Sequence, residues 1–156
     1  MAVRVKTNAQ GETQLLFEWL STLPPDYKWS YHVFVGRVPL DTGGVPLSPA
    51  RARALAATDR WVDARVATPH EVWVVEAKLK GVDAAYGQAY GYSRSYAHSL
   101  DYVDFAPRLI VPVVLVAARI PEVEMAFEPL GIRTIQFPVS WLGDGLIKLY
   151  QALDPH

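Results

Sequence analysis

The chain has 156 residues, 51% of them hydrophobic and 20% charged, with a formal net charge of −1. This length and composition predict one ordered domain over 1–156 with its own core, and exclude a disordered or strongly basic chain. The absence of cysteine excludes disulfides and thiolate-bound zinc, and the longest apolar stretch, Leu109 to Ala118, is too short to cross a bilayer.

The first element is a helix. Between Glu12 and Thr22, apolar side chains recur at Leu15, Leu16, Trp19 and Leu20 and continue to Leu23, until Pro24 and Pro25 stop the run. Glu12 continues the core-facing stripe and can reach inward to a metal; the alternative is an ordinary acid in a helix's first turn. Glu18 is displaced from that stripe. Tyr27 to Val38, rich in aromatic and β-branched residues, reads as the first strand, and PLDTGGVPLSP as a loop. Ser48 can cap a short helix, with Pro49 at its first position, running to about Thr58.

Arg60 to Lys80, RWVDARVATPHEVWVVEAKLK, reads as two strands joined by a turn. Alternation puts Glu76 and Lys78 on one face with Val72 and Val74, and Trp73, Val75, Ala77 and Leu79 on the other. Both faces are largely apolar, as in an inner strand. An even-length loop centred on Pro69 and His70 sets Thr68 opposite Glu71, and the same register sets Asp63 opposite Glu76. Opposed side chains lie about 5 Å apart at Cβ, close enough for two carboxylates to share one divalent cation. An odd loop or a bulge would break that alignment. The competing structural reading is a rim ion pair of Glu76 and Lys78 with Asp63 or Arg65.

Asp83 is expected to cap a helix from Ala84 to about Ser99, with Gln88, Tyr92 and Ser95 or Tyr96 along one stripe. Gly87 and Gly91 on this helix predict close approach of another backbone, and Tyr86, Tyr90 and Tyr96 read as packing residues. Arg108 to Ala118 reads as a buried strand, with an edge, bulge or irregularity expected at Pro112. Pro121 to Phe127 predicts a short helix, Ile132 to Val139 a final strand, and Leu142 to Leu153 a terminal helix. The four histidines lack metal-ligand spacing, and neither Gly43-Gly44 nor the GDG at Gly143 to Gly145 ends in the Lys-Ser/Thr of a phosphate-binding loop.

Around Asp63 and Glu76 the chain resembles the PD-(D/E)xK nuclease superfamily, which includes restriction enzymes, Holliday-junction resolvases and RecB-type exonucleases. The pattern is Asp63, twelve intervening residues, then Glu76-Ala77-Lys78, with Val62 in place of the family's dispensable proline. Gln88 and Tyr92, in GQAYGY, match the Gln-x-x-x-Tyr of the RecB-like branch, and Glu12 resembles the N-terminal helix glutamate of the resolvase branch. The resemblance implies an α/β fold with a restriction-endonuclease-like αβββαβ core, a mixed sheet flanked by helices. It also implies a deoxyribonuclease dependent on Mg²⁺ or Mn²⁺. Asp63, Glu76, the Ala77 carbonyl and Glu12 would hold the metal; Lys78 and Gln88 would assist the attacking water, with Tyr92 supporting them.

A basic rim of Arg37, Arg51, Arg53, Arg60 and Arg65 would face the DNA, with Arg60 and Arg65 nearest the site; an ordinary solvated arginine face is the alternative. The expected setting is cytoplasmic, without a membrane, and with a homodimer or a targeting protein as partner. Two other readings stand beside the enzyme: a catalytically inactive nuclease-fold subunit acting in DNA binding or assembly, and an unrelated α/β module for a small ligand.

Overall fold

The computed structural model describes residues 8–36, 43–56, 59–80 and 82–141. The expected terminal helix from Leu142, the GDG turn, Arg37 and the end of the first strand at Val38 lie outside the described residues. The helix α1 (Asn8–Leu20) precedes β1 (Lys28–Gly36), α2 (Pro49–Ala56), and the hairpin of β2 (Arg60–Ala67) and β3 (Glu71–Lys78). Next come α3 (Val82–Tyr96), α4 (Leu100–Val103), β4 (Leu109–Val116), α5 (Pro121–Phe127), a 3₁₀ turn (Glu128–Leu130) and β5 (Arg133–Gln136).

The hairpin sets the frame. Thr68 N–H donates to the Glu71 carbonyl at 2.9 Å, and Glu71 N–H donates to Thr68 Oγ1 at 2.9 Å. That turn fixes the expected even register, with Ala67 opposite Val72 and Ala64 opposite Val75. β1 adds antiparallel on the β2 side, while β4 and then β5 add parallel on the β3 side, giving one five-stranded sheet in the order β1-β2-β3-β4-β5. Parallel neighbours need crossovers, and α3 and α5 supply them. The molecule is therefore α/β, with a mixed sheet flanked by helices.

The alternating strand pattern divides the core. On one face Leu15, Leu16, Trp19 and Leu20 of α1 pack on Ala64, Val66, Val75, Ala77, Val113 and Leu115. The other face carries Val62, Val72 and Val74 against Tyr96 of α3, and Val114 and Val116 against Ala85, Tyr86 and Ala89. Both faces of β3 and β4 are covered, which is why VWVVEAK and LIVPVVLV read as near-continuous apolar runs. No helix among the described residues is long and apolar enough to cross a membrane.

Several expectations need correction. α3 already includes Val82 and Asp83 and ends at Tyr96, so Asp83 lies in its first turn; Ser99 begins a separate helix, its Oγ accepting Tyr102 N–H at 3.3 Å. A Cβ at Gly87 or Gly91 would meet nothing within 4 Å, so no backbone packs closely there. Pro112 lies in an interior strand and pairs with Val74 without a register shift. Leu109 N–H points to His70 in front of β3, so by alternation the nitrogen of Pro112 points towards β5, whose pairing starts only at Val113. At Pro112 itself β4 is locally an edge, and the missing donor costs no ladder bond.

Candidate active site

Two strands lose their regular phase at one level of the sheet. In β1, Tyr31 meets Phe17 of α1, yet Val33, two residues on, packs in the cluster on the opposite face. His32 between them has a φ of 52°, a left-handed conformation uncommon for a side chain other than glycine. In β2, Ala64 faces α1 while Val62 packs with Val35 and Tyr96 on the other side. The pairings Tyr31–Ala64 and Val33–Val62 bracket His32 and Asp63, so the two irregular residues face each other. Strain of this kind costs on the order of 1–3 kcal/mol and is found where function needs an unusual backbone.

The β2–β3 ladder stops at Ala64–Val75, one step before Asp63 and Glu76. Their carboxyl groups replace it. Asp63 N–H donates to Glu76 Oε1 at 3.3 Å, and Ala77 N–H donates to Asp63 Oδ2 at 2.9 Å. Each acid thus takes a main-chain donor from the other's strand, and the expected convergence of Asp63 with Glu76 is present. The carbonyl of a strand residue leaves on the same edge as its N–H, so the Ala77 carbonyl also points into the gap beside Asp63.

Burial governs the charge state of this pair. Glu76 is 5% exposed. Its pKa is pushed up to about 9, first by burial and then by the Asp63 charge; the Asp63 N–H and the Lys78 ammonium oppose the shift. Asp63 is also raised, again chiefly by burial, with the Ala77 N–H, Lys78, Glu76 and His32 pulling the other way. The pair sets acid against acid at a largely desolvated position, and one proton shared between them relieves the repulsion.

Glu12 completes the surroundings from α1. Its Oε1 accepts Leu79 N–H at 3.3 Å, and its Oε2 lies 3.9 Å from Lys78 Nζ. A Cβ at Gly11 would sit 2.6 Å from Leu79 Cδ1, so a larger residue there would push the end of that side chain aside where α1 meets the end of β3. Burial raises the Glu12 pKa, against the opposing pull of Lys78 and the Leu79 N–H, and Asp63 adds to the rise. Glu12, Asp63, Glu76 and Lys78 therefore sense one another. Among the described residues no three His, Asp or Glu side chains converge into a ready metal cage, so Glu12 stands beside the acid pair rather than within it. Glu18 is occupied elsewhere, accepting from Gln14 and Trp141.

The remaining sequence candidates separate. Tyr92 is half-buried near the pair, and burial followed by the Glu76 charge raises its hydroxyl pKa. Gln88 is exposed on α3 and forms no hydrogen bond to either acid. Arg60 donates to Ser95 Oγ at 2.7 Å. Arg65 was expected on an exposed rim and is not there. It is 7% exposed, pairs with Asp101 at 2.9 Å, donates to the Lys28 carbonyl and Ser30 Oγ, and lies over the Phe105 ring. Arg65 thus fastens α4 to the sheet. Of the competing rim ion pair of Glu76 and Lys78 with Asp63 or Arg65, the Arg65 form is absent, because Arg65 is turned to Asp101.

Sequence reasoning missed His32, Trp61 and Phe34, whose rings cluster beside Asp63. The His32 and Trp61 rings are stacked at 4.6 Å and 8°, and Phe34 meets Trp61 at 5.1 Å. The one available signal was the density of aromatic residues in KWSYHVFVG; their meeting with Trp61 depends on the β1–β2 register. Comparisons with family models, with curated proteins and with solved structures gave no match to this chain.

Proposed function

We propose that the chain is a metal-dependent nuclease of the PD-(D/E)xK type, hydrolysing phosphodiester bonds in DNA on a restriction-endonuclease-like αβββαβ core. The observation that carries this reading is the Asp63–Glu76 gap: the buried Glu76 and the half-buried Asp63 each take a main-chain donor from the other's strand where the ladder stops, with an ammonium close by. Structural ion pairs bring opposite charges together; this site brings like charges together, which costs stability unless a cation or a proton joins them.

The donor set fits a hard cation. Asp63, Glu76 and the Ala77 carbonyl offer oxygen donors alone, as suits Mg²⁺ or Mn²⁺, while the His32 imidazole lies across from Asp63 on β1. Asp63, Glu76 and the Ala77 carbonyl would hold the ion, and Glu12 would act through solvent. When bound, such an ion supplies Lewis-acid polarisation of the scissile phosphate. Lys78 orients the attacking water and sets its positive charge against the negative charge that develops on the phosphoryl oxygens. Glu12 holds the Lys78 ammonium towards the gap. Tyr92 closes the α3 side, and exposed Gln88 can act only on substrate that reaches α3.

Labelled duplex, single-stranded and branched DNA incubated with Mg²⁺ or Mn²⁺ tests the reading. Cleavage by the native chain, lost in Asp63→Asn and Glu76→Gln, is the expected result. Intact DNA in every case would remove catalysis and leave the inactive DNA-binding or assembly subunit; cleavage that appears only with a targeting protein would fit the net charge of −1, which lacks the basic signature of a chain that holds DNA by itself.

A further inference from the structure

The aromatic cluster at the sheet edge opens onto a groove of about 950 Å³ lined by Phe34, Gly36, Arg60, Gly91, Arg94 and Ser95, among others. That volume is at the upper end of the roughly 300–1,000 Å³ typical of ligand clefts. Arg60 and Arg94 supply its positive charge. Arg60 is bonded to Ser95 and Arg94 to the Tyr90 hydroxyl, and among the described residues neither pairs with an acid. The acid in the lining, Asp101, is already held by Arg65 and by the Tyr96 hydroxyl. Gly91 adds no side chain to the wall, and a Cβ there would meet nothing within 4 Å. The groove is therefore net cationic; Phe34 in its lining is 40% exposed, and Trp61, which meets Phe34 from outside the lining, is 44% exposed.

We propose that the stacked His32–Trp61 pair, with Phe34 beside it, is a platform for an unpaired DNA base, and that Arg60 and Arg94 in the adjoining groove take the flanking phosphates. Stacking on an aromatic face requires a base free of its duplex partner, so the platform selects single-stranded over duplex DNA. The pairs Tyr31–Ala64 and Val33–Val62 bracket His32 and Asp63, so the platform and the acid gap share the β1–β2 neighbourhood. The His32 and Trp61 rings lie parallel, as diagonal neighbours on paired strands can, with Phe34 directly across from Trp61. The choice of DNA rests on the nuclease reading; the platform itself rests on the rings and the arginines.

The test is binding of a fluorescein-labelled oligothymidylate, measured by anisotropy without added metal, against a duplex of equal length. The native chain is expected to prefer the single strand. Trp61→Leu, which removes the π face and keeps an apolar side chain, should weaken single-strand binding about tenfold or more, and Trp61→Phe should largely restore it. Arg60→Gln should flatten the salt dependence of binding. Equal or tighter binding of duplex, tighter binding of oligouridylate, or full affinity in Trp61→Leu overturns the proposal. The two readings fail separately. Trp61-dependent binding without any cleavage would keep the platform and remove the nuclease, whereas duplex cleavage at full rate by Trp61→Leu would do the reverse.

Discussion

Two glutamates on β3 are driven in opposite directions. Glu71, at the exposed start of the strand, is lowered by hydrogen bonds from Arg133 and then from Trp73 Nε1. Glu76, buried against Asp63, rises to about 9 from an ordinary value of 4.5. Between those two pH values folded Glu76 keeps a proton that the unfolded chain has released, so stability is greatest below the lower value and falls as pH rises towards the upper. Thermal melts without divalent metal should show that decline. Glu76→Gln should flatten it and add on the order of a few kcal/mol near pH 8, since its amide carries no charge to bury. A variant that declines with pH as steeply as the native chain would contradict the assignment. Lys78→Met should lower kcat by about 10²–10³ while leaving KM nearly unchanged, because its charge acts mainly on the transition state. A change confined to KM would make Lys78 a binding residue instead.

At the scale of elements, α4 is fastened by a buried interaction that its short sequence does not announce. Asp101 receives Arg65 in a two-pronged ion pair, at 2.9 and 3.2 Å, and the Tyr96 hydroxyl at 2.7 Å. Asp101→Ala would strand a buried guanidinium and should cost about 3 kcal/mol in urea unfolding, with Arg65→Leu in the same chain recovering part of the loss. A loss below about 0.5 kcal/mol would show the pair to be as weak as a surface bridge. The hairpin register was legible in the sequence because turn and alternation agree: Thr68 and Glu71 close the loop, and the pairs from Ala67–Val72 to Ala64–Val75 follow. The phase change at His32 and Asp63 was not legible. It arises from a backbone conformation that histidine rarely adopts. Arg65 was misread for a related reason, since a cation's partner can come from a helix thirty-six residues away.

For the whole molecule, the α/β class and a mixed sheet flanked by helices could be read from strand and helix periodicities; beside α1, β1, β2, β3, α3 and β4 the described residues add α2, α4, α5 and β5. The meeting of Asp63 with Glu76 was also legible, because one hairpin holds both. Glu12 reached the same neighbourhood through a helical stripe that the sequence showed, helped by the close contact at Gly11. The exposed rings and the groove beside α3 were not legible, since they join β1, β2 and α3 through long-range pairing. The central claim is that the acid gap holds a divalent cation, and calorimetric titration of the native chain and Glu76→Gln with Mn²⁺ tests it most directly. One saturable site is expected in the native chain, with a heat that varies with the buffer's ionisation enthalpy because the shared proton is released, and loss of that site in Glu76→Gln. No binding heat in the native chain, or equal binding by the variant, would contradict it.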